Sequence, residues 1–255
     1  MWGSIIGDIA GSVYEHKDEK ARQVVFFEEG AHFSDDSVLT IAVADALLTN
    51  KSYADCYRYW GRRYPDAGYG KFFKQWLHSD AEAGQSFGNG AAMRISPVAC
   101  WFNTLGEALA EAERSALITH AHPDAIRGAQ AIAASTFMAR KGATKAAIKD
   151  YVQSAFDYNL NFSLPQLIEH YTFDSTAPGS VPQAIFCFLE SVDYKDALTK
   201  AIIIGGDTDT LACMAGGIAE GFYGGVPQEL IDKAVALLPE EFVAMISQFK
   251  EKAGV

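Results

Sequence analysis

Apolar residues occupy nearly every face of a helical wheel across residues 37–48, Ser-Val-Leu-Thr-Ile-Ala-Val-Ala-Asp-Ala-Leu-Leu. That pattern predicts a helix surrounded by protein on most sides, with its N-terminus inside the molecule as well. Residues 106–118, rich in Ala, Glu and Leu, predict an amphipathic helix. Pro123 suits the first position of a helix running to Arg140, because the N–H that proline lacks is one a helix start leaves unpaired anyway. Further helical patterns cover 142–157, 181–191, 195–203, 208–222, 227–238 and 239–252. Strand signals are scarce: Val24-Val25-Phe26-Phe27 is the best of them, and a loop accounts for it too. Without an internal repeat or a long Gly/Ser or Pro linker, the chain is expected to form one all-α domain over residues 1–255.

Glycine spacing sharpens that expectation. Gly3, Gly7 and Gly11 recur every four residues, which places three positions without side chains on one face of an N-terminal helix. Each costs roughly 1 kcal/mol of helix propensity relative to Ala, so a close helix–helix approach is expected to offset it. Gly216, Gly217, Gly221, Gly224 and Gly225 form a similar group near the other end of the chain.

Two acidic clusters stand at the starts of apolar stretches: Ser34-Asp35-Asp36-Ser37, and Gly205-Gly206-Asp207-Thr208-Asp209-Thr210. One Ser, Thr or Asp suffices to cap a helix, and one more carboxylate complements its dipole. Two pairs of carboxylates with neighbouring hydroxyls exceed that need, although two capped helix starts remain the plainer alternative. Such hard oxygen donors suit Mg2+, Mn2+ or Ca2+, and paired divalent ions are an established catalytic device.

Charge changes the picture in one respect. A formal net charge of -11 excludes general affinity for nucleic-acid phosphates, which requires a positive surface. It does not exclude a small phosphorylated ligand, because two divalent ions would neutralise Asp35, Asp36, Asp207 and Asp209. The N-terminus lacks a basic run before an apolar segment, and no apolar run is long enough to span a membrane. Cys56, Cys100, Cys187 and Cys213 are scattered without a CxxC pair, as expected of reduced thiols in a cytoplasmic protein.

The segments Gly7-Asp8-Ile9-Ala10-Gly11-Ser12-Val13-Tyr14-Glu15, Phe33 to Ser37, Gly88-Asn89-Gly90-Ala91-Ala92-Met93-Arg94, Thr119-His120-Ala121-His122-Pro123 and Gly205 to Thr210 occur in that order. Together they resemble the ADP-ribosylglycohydrolase family, which includes the dinitrogenase reductase-activating glycohydrolases. The resemblance implies a compact orthogonal bundle of many helices with a two-Mg2+ centre, Mn2+ being the alternative ion. It also implies hydrolysis of the N- or O-glycosidic bond at C1'' of ADP-ribose, on a modified protein side chain or a small conjugate. Carried over residue by residue, it makes Ser34, Asp35, Asp36, Asp207, Asp209 and Thr210 metal ligands, with Asp36, Asp209 and Glu15 as candidates for handling the water proton. It places Gly88, Asn89, Gly90, Ala91 and Met93 along the ADP-ribose phosphates and ribose, His120 as a ribose or phosphate contact, and Gly179 and Ser180 near the substrate. His122 is expected to be structural. For Arg94 a phosphate and a buried carboxylate are both in view.

Residues 53–76 interleave aromatic side chains with Arg58, Arg62, Arg63, Lys71 and Lys74. Stacking on nucleic acid is one use of such a mixture. The helical spacing favours a second, core aromatics with a basic outer face. A non-catalytic ADP-ribose-binding or structural member of the same fold is the competing functional reading.

Overall fold

The computed structural model describes residues 1–15, 17, 20–81 and 83–254, and among these it is helical throughout, with two isolated β-bridges and no strand. In chain order the helices are α1 (Trp2–Gly11), α2 (Asp35–Thr49), α3 (Tyr53–Arg63), α4 (Lys71–Leu77), α5 (Gly90–Met93), α6 (Ser96–Trp101), α7 (Leu105–Leu117) and α8 (Pro123–Arg140). They continue with α9 (Lys145–Phe156), α10 (Leu164–His170), α11 (Ala177–Leu189), α12 (Tyr194–Ile203), α13 (Thr208–Tyr223), α14 (Gln228–Val235) and α15 (Glu240–Ala253). No helix among the described residues is long and apolar enough to cross a membrane.

The glycine face of α1 lies directly on α13. A Cβ at Gly7 would sit 2.1 Å from the Ala212 carbonyl oxygen, one at Gly3 2.3 Å from that of Gly216, and one at Gly11 2.5 Å from Asp209 Cα. Backbone meets backbone along the whole seam, as the spacing predicted. Both helices are buried over most of their length, and α2, which is apolar nearly all round, packs beside them.

Local chemistry sets the helix ends. Ser34 caps α2 by accepting from the Asp36 N–H, and His122 caps α8 by accepting from the Asp124 N–H, with Pro123 in the first turn. That is the structural role expected of His122. Gly205 and Gly206 take φ of 78° and 80°, a left-handed turn that carries the chain from α12 into α13.

The structure moves several boundaries. α9 starts at Lys145 rather than 142 because Gly142 has a positive φ and Thr144 supplies the cap. α11 starts at Ala177 rather than 181 because the Thr176 side chain accepts from the Gly179 N–H and Pro178 fits the first turn. Val24–Phe27 is a loop, and the Tyr14 hydroxyl takes over the backbone of Val25, accepting from its N–H and donating to its carbonyl. In the aromatic segment Tyr53, Tyr57, Trp60, Tyr69, Phe73 and Trp76 are buried, while Arg58 stacks on Trp76 from outside, the core arrangement that the helical spacing favoured. All four cysteines are free thiols.

Candidate metal centre and active site

The first turns of α2 and α13 meet. Asp36 Oδ2 accepts hydrogen bonds from Ser34 Oγ and Thr210 Oγ1, each at 3.2 Å, so the two acidic clusters share one carboxylate oxygen. Two carboxylate groups of three form around this contact, Asp8 with Asp36 and Asp209, and Glu15 with Asp207 and Asp209. Within each group the oxygens lie within 4.8 Å of one another, and Asp209 belongs to both. Asp35 completes the rim, its N–H held by the Ala67 carbonyl at 2.6 Å.

Asp8, which the sequence does not single out as a site residue, joins the cluster. It lies fully buried in the middle of α1 and accepts from the N–H groups of Ser34 and Ser37 and from the Ser37 hydroxyl. It therefore ties α1 to the start of α2. Its signal is a lone carboxylate inside an otherwise uncharged, largely apolar helical segment.

Burial is the main electrostatic fact here. It pushes the carboxyl of Asp35 up to about 8, with the negative charges of Asp8 and Asp207 adding to the effect. Asp36 and Asp209 are raised well above the usual carboxylate range by burial first and by their acidic neighbours second. Asp8 is raised by burial, against the pull of its hydrogen bonds from Ser37 and Ser34. Like charges so placed cannot all ionise without a counter-charge. Among the described residues no N–H or O–H donates to the buried Asp36 Oδ1, a deficit that a cation would satisfy; the weak Cys213 thiol also approaches this carboxylate. The donors are all oxygens, so the residues fit hard divalent ions.

The cluster floors a cavity of about 620 Å3, within the ~300–1,000 Å3 typical of small-molecule sites. Ser34, Asp35, Asp36, Asp207, Asp209, Thr210, Glu15, Gly88, Asn89, Gly90, Met93 and His120 all line it. Ala91, Gly179 and Ser180 do not. Ala91 is buried inside α5, and Ser180 is buried in α11 with its hydroxyl returned to the Thr176 carbonyl. A Cβ at Gly179 would run into the Asp174 carboxylate. From that loop Phe173 and Ser175 reach the cavity instead, and the exposed rings of Phe72 and Phe87 stand at other parts of its wall.

The Gly-Asn-Gly segment is clamped from both sides. Asn89 N–H donates to the Ser175 carbonyl and Ala177 N–H to the Phe87 carbonyl, while Ser86 N–H and Ala121 N–H link the other flank to residues 118–121. The N–H of Gly88 goes to Ser86 Oγ, so the amides of Gly88 and Asn89 are engaged within the protein rather than free for a phosphate. The Asn89 side chain turns to the acidic cluster, its Nδ2 donating to Asp207 Oδ2 at 2.7 Å. Arg94 meets neither alternative partner: it is enclosed, stacked 4.2 Å from the Tyr57 ring and bonded to Thr119 and Ser115.

Comparison with known proteins gives one consistent picture. The family model described as ADP-ribosylglycohydrolase matches residues 1–253. ADP-ribosylhydrolase ARH3 of Danio rerio is 27% identical over 300 residues, covering 87% of this chain and 81% of the relative. The ARH3 of Homo sapiens is 24% identical over 303 residues, covering 87% and 84%. ADP-ribosylarginine hydrolase Tri1 of Pseudomonas putida is 21% identical over 268 residues, covering 91% and 72%. A solved structure described as an ADP-ribosylglycohydrolase-related protein complex superposes with a TM-score of 0.69 at 22% identity, over 98% of this chain and 95% of that one, and so shares the fold.

Proposed function

This chain belongs to the ADP-ribosylglycohydrolase family, and on that premise we propose that it hydrolyses the glycosidic bond at C1'' of ADP-ribose, releasing ADP-ribose from a modified protein side chain or a small conjugate. The observation that carries this reading is the joining of two remote acidic helix starts, through Thr210 and Asp36, on the floor of a cavity of ligand size.

Ser34, Asp35, Asp36, Asp207, Asp209 and Thr210 are the residues to hold two divalent ions, Mg2+ first and Mn2+ as the substitute. When bound, such ions supply positive charge that orients ribose hydroxyls and acidifies water. The chain's own residues do the rest. Asp8 fixes the entry of α2, and Asn89 fixes Asp207. The segment 88–90 and His120 form one wall against the ribose and phosphates.

Of the three candidates Glu15, Asp36 and Asp209, Glu15, half-buried at the cavity wall beside Asp207 and Asp209, is the one we assign to accept the proton of the attacking water. Water oxygen bonds to C1'' as the bond to the leaving nitrogen or oxygen breaks, the leaving group keeps the bonding electrons, and a proton returns to it. Phe72, Phe87 and Phe173 add apolar rings to the cavity wall.

The test is mass spectrometry of defined ADP-ribose conjugates on arginine, serine, a small guanidine and a nucleobase, with Mg2+ and with excess chelator. Release of intact ADP-ribose only with metal is expected. Release of AMP or phosphate would indicate a different hydrolase, and tight binding of ADP-ribose without turnover would indicate a binding protein on this fold.

A further inference from the structure

Behind the wall that carries Gly88 to Gly90 runs a short polar chain. Arg94 Nη2 donates to Thr119 Oγ1 at 2.7 Å, and Thr119 Oγ1 is 2.7 Å from His120 Nδ1. All three residues are buried, and among the described residues Arg94 has no carboxylate partner. Arginine only donates and a threonine hydroxyl has one proton to give. With Arg94 donating to Thr119 Oγ1, and His120 Nδ1 the other hydrogen-bond partner of that hydroxyl among the described residues, its proton goes to His120 Nδ1. The imidazole proton then sits on Nε2. That nitrogen faces the glycine turn: a Cβ at Gly90 would lie 2.9 Å from it, and one at Gly88 3.9 Å.

We propose that Arg94 is a positioning residue which, through the Thr119 hydroxyl, holds His120 as a neutral imidazole with its proton on Nε2, a fixed hydrogen-bond donor toward an acceptor oxygen of the ligand at the Gly88–Gly90 turn. The ligand side of this inference rests on the reading that the cavity takes an ADP-ribosyl group; the tautomer does not. The charged group facing the ring is the Arg94 guanidinium, covered on its far side by the Tyr57 ring of α3. Burial, with that positive charge second, keeps His120 from taking a second proton. The geometry also explains why position 90 is glycine: any side chain there would occupy the place an acceptor oxygen needs.

Two-bond proton–nitrogen correlations of the His120 ring, assigned by their loss in His120→Gln, read the tautomer directly in the metal-loaded protein. An Nε2–H pattern unchanged between about pH 5.5 and 8 is expected. An Nδ1–H pattern, or titration near the free-imidazole value, overturns the proposal. Thr119→Val removes the link at constant shape, and is expected to mix the tautomers and weaken ADP-ribose binding about tenfold. Thr119→Ser keeps the hydroxyl and should restore both within about twofold. A Thr119→Val protein that folds and retains the wild-type ring pattern sinks the relay even if its affinity falls. Wild-type protein that shows the Nε2–H pattern but binds no ADP-ribose overturns the ligand half and leaves the relay standing.

Discussion

Thr210 Oγ1 donates a 3.2 Å hydrogen bond to Asp36 Oδ2 across a sequence separation of 174 residues, and in doing so brings the first turns of two buried helices to one carboxylate. The other oxygen of Asp36 is buried and receives no N–H or O–H among the described residues. A group so placed serves a cation better than it serves the fold. If Asp36 ligates the ion as proposed, Asp36→Asn is expected to remove divalent-ion binding and lower hydrolysis at least about 100-fold. Its metal-free melting temperature at pH 8 should equal or exceed that of the wild type, because one buried like charge is gone. Thermal melts with and without chelator, beside the release assay, check both halves; full turnover of this variant in excess chelator removes the metal site from the reaction.

The raised carboxylates give metal-free protein an inverted pH dependence. Asp8, Asp36 and Asp209 are raised and Asp35 reaches about 8, against about 3.9 in an unfolded chain. Between those values the folded state holds more protons on these groups than the unfolded one, so their contribution to stability is fully present below about pH 4 and is lost as pH rises toward 8. Ordinary acid denaturation works in the opposite direction. Chelated protein is thus expected to melt higher at pH 5.5 than at pH 8, and Mg2+ or Mn2+ to raise the melting temperature more at pH 8, where fewer protons compete with it. A metal-induced rise that is larger at pH 5.5 would contradict the burial of these carboxylates.

The glycine seam makes a prediction of stability alone. A Cβ at Gly7 would meet the Ala212 carbonyl oxygen at 2.1 Å and the Ala212 carbonyl carbon at 2.4 Å, and backbone cannot swing aside as a side chain can. Gly7→Ala should cost about 3 kcal/mol or more despite the better helix propensity of alanine. Gly106→Ala, also within a helix but with open space around the added carbon, should gain about 0.5–1 kcal/mol. Denaturant titration of the pair separates the contact from the propensity.

What the chain disclosed in advance, and what it hid, follows from the kind of signal each feature leaves. The carboxylates of α2 and α13 were visible because they exceed what two caps require, and the seam of α1 because three glycines at one spacing are costly without a reason. Asp8 was concealed by its setting, a lone carboxylate inside an apolar helix whose partners Ser34 and Ser37 come from another element. Gly179 and Ser180, which the resemblance sets near the substrate, do not line the cavity because they lie in the first turn of α11, whose start the apolar period places too late. The cap at Thr176 and the turn Ala177-Pro178-Gly179-Ser180 belong to the helix, which leaves Phe173 and Ser175 at the wall. Asn89 differs again: the motif placed it beside a ligand, and only the meeting of α5 with α13 shows its side chain turned to Asp207.

That last difference can be measured. Asn89 is buried, its N–H held by the Ser175 carbonyl and its Nδ2 by Asp207 Oδ2, so the side chain orients a carboxylate of the second acidic cluster. Partners that orient metal ligands typically matter about 10–100-fold in affinity for the ion. Asn89→Ala is accordingly expected to weaken Mn2+ binding by roughly that range and to lower kcat with it. Loss of one hydrogen bond should cost only about 1 kcal/mol of stability. If the residue acted mainly on the substrate, the ion would bind as before and KM for the ADP-ribose conjugate would rise alone. Calorimetric titration with Mn2+ beside steady-state kinetics at saturating Mg2+ distinguishes the two, and an unchanged ion affinity would return Asn89 to the substrate contacts that its motif suggested.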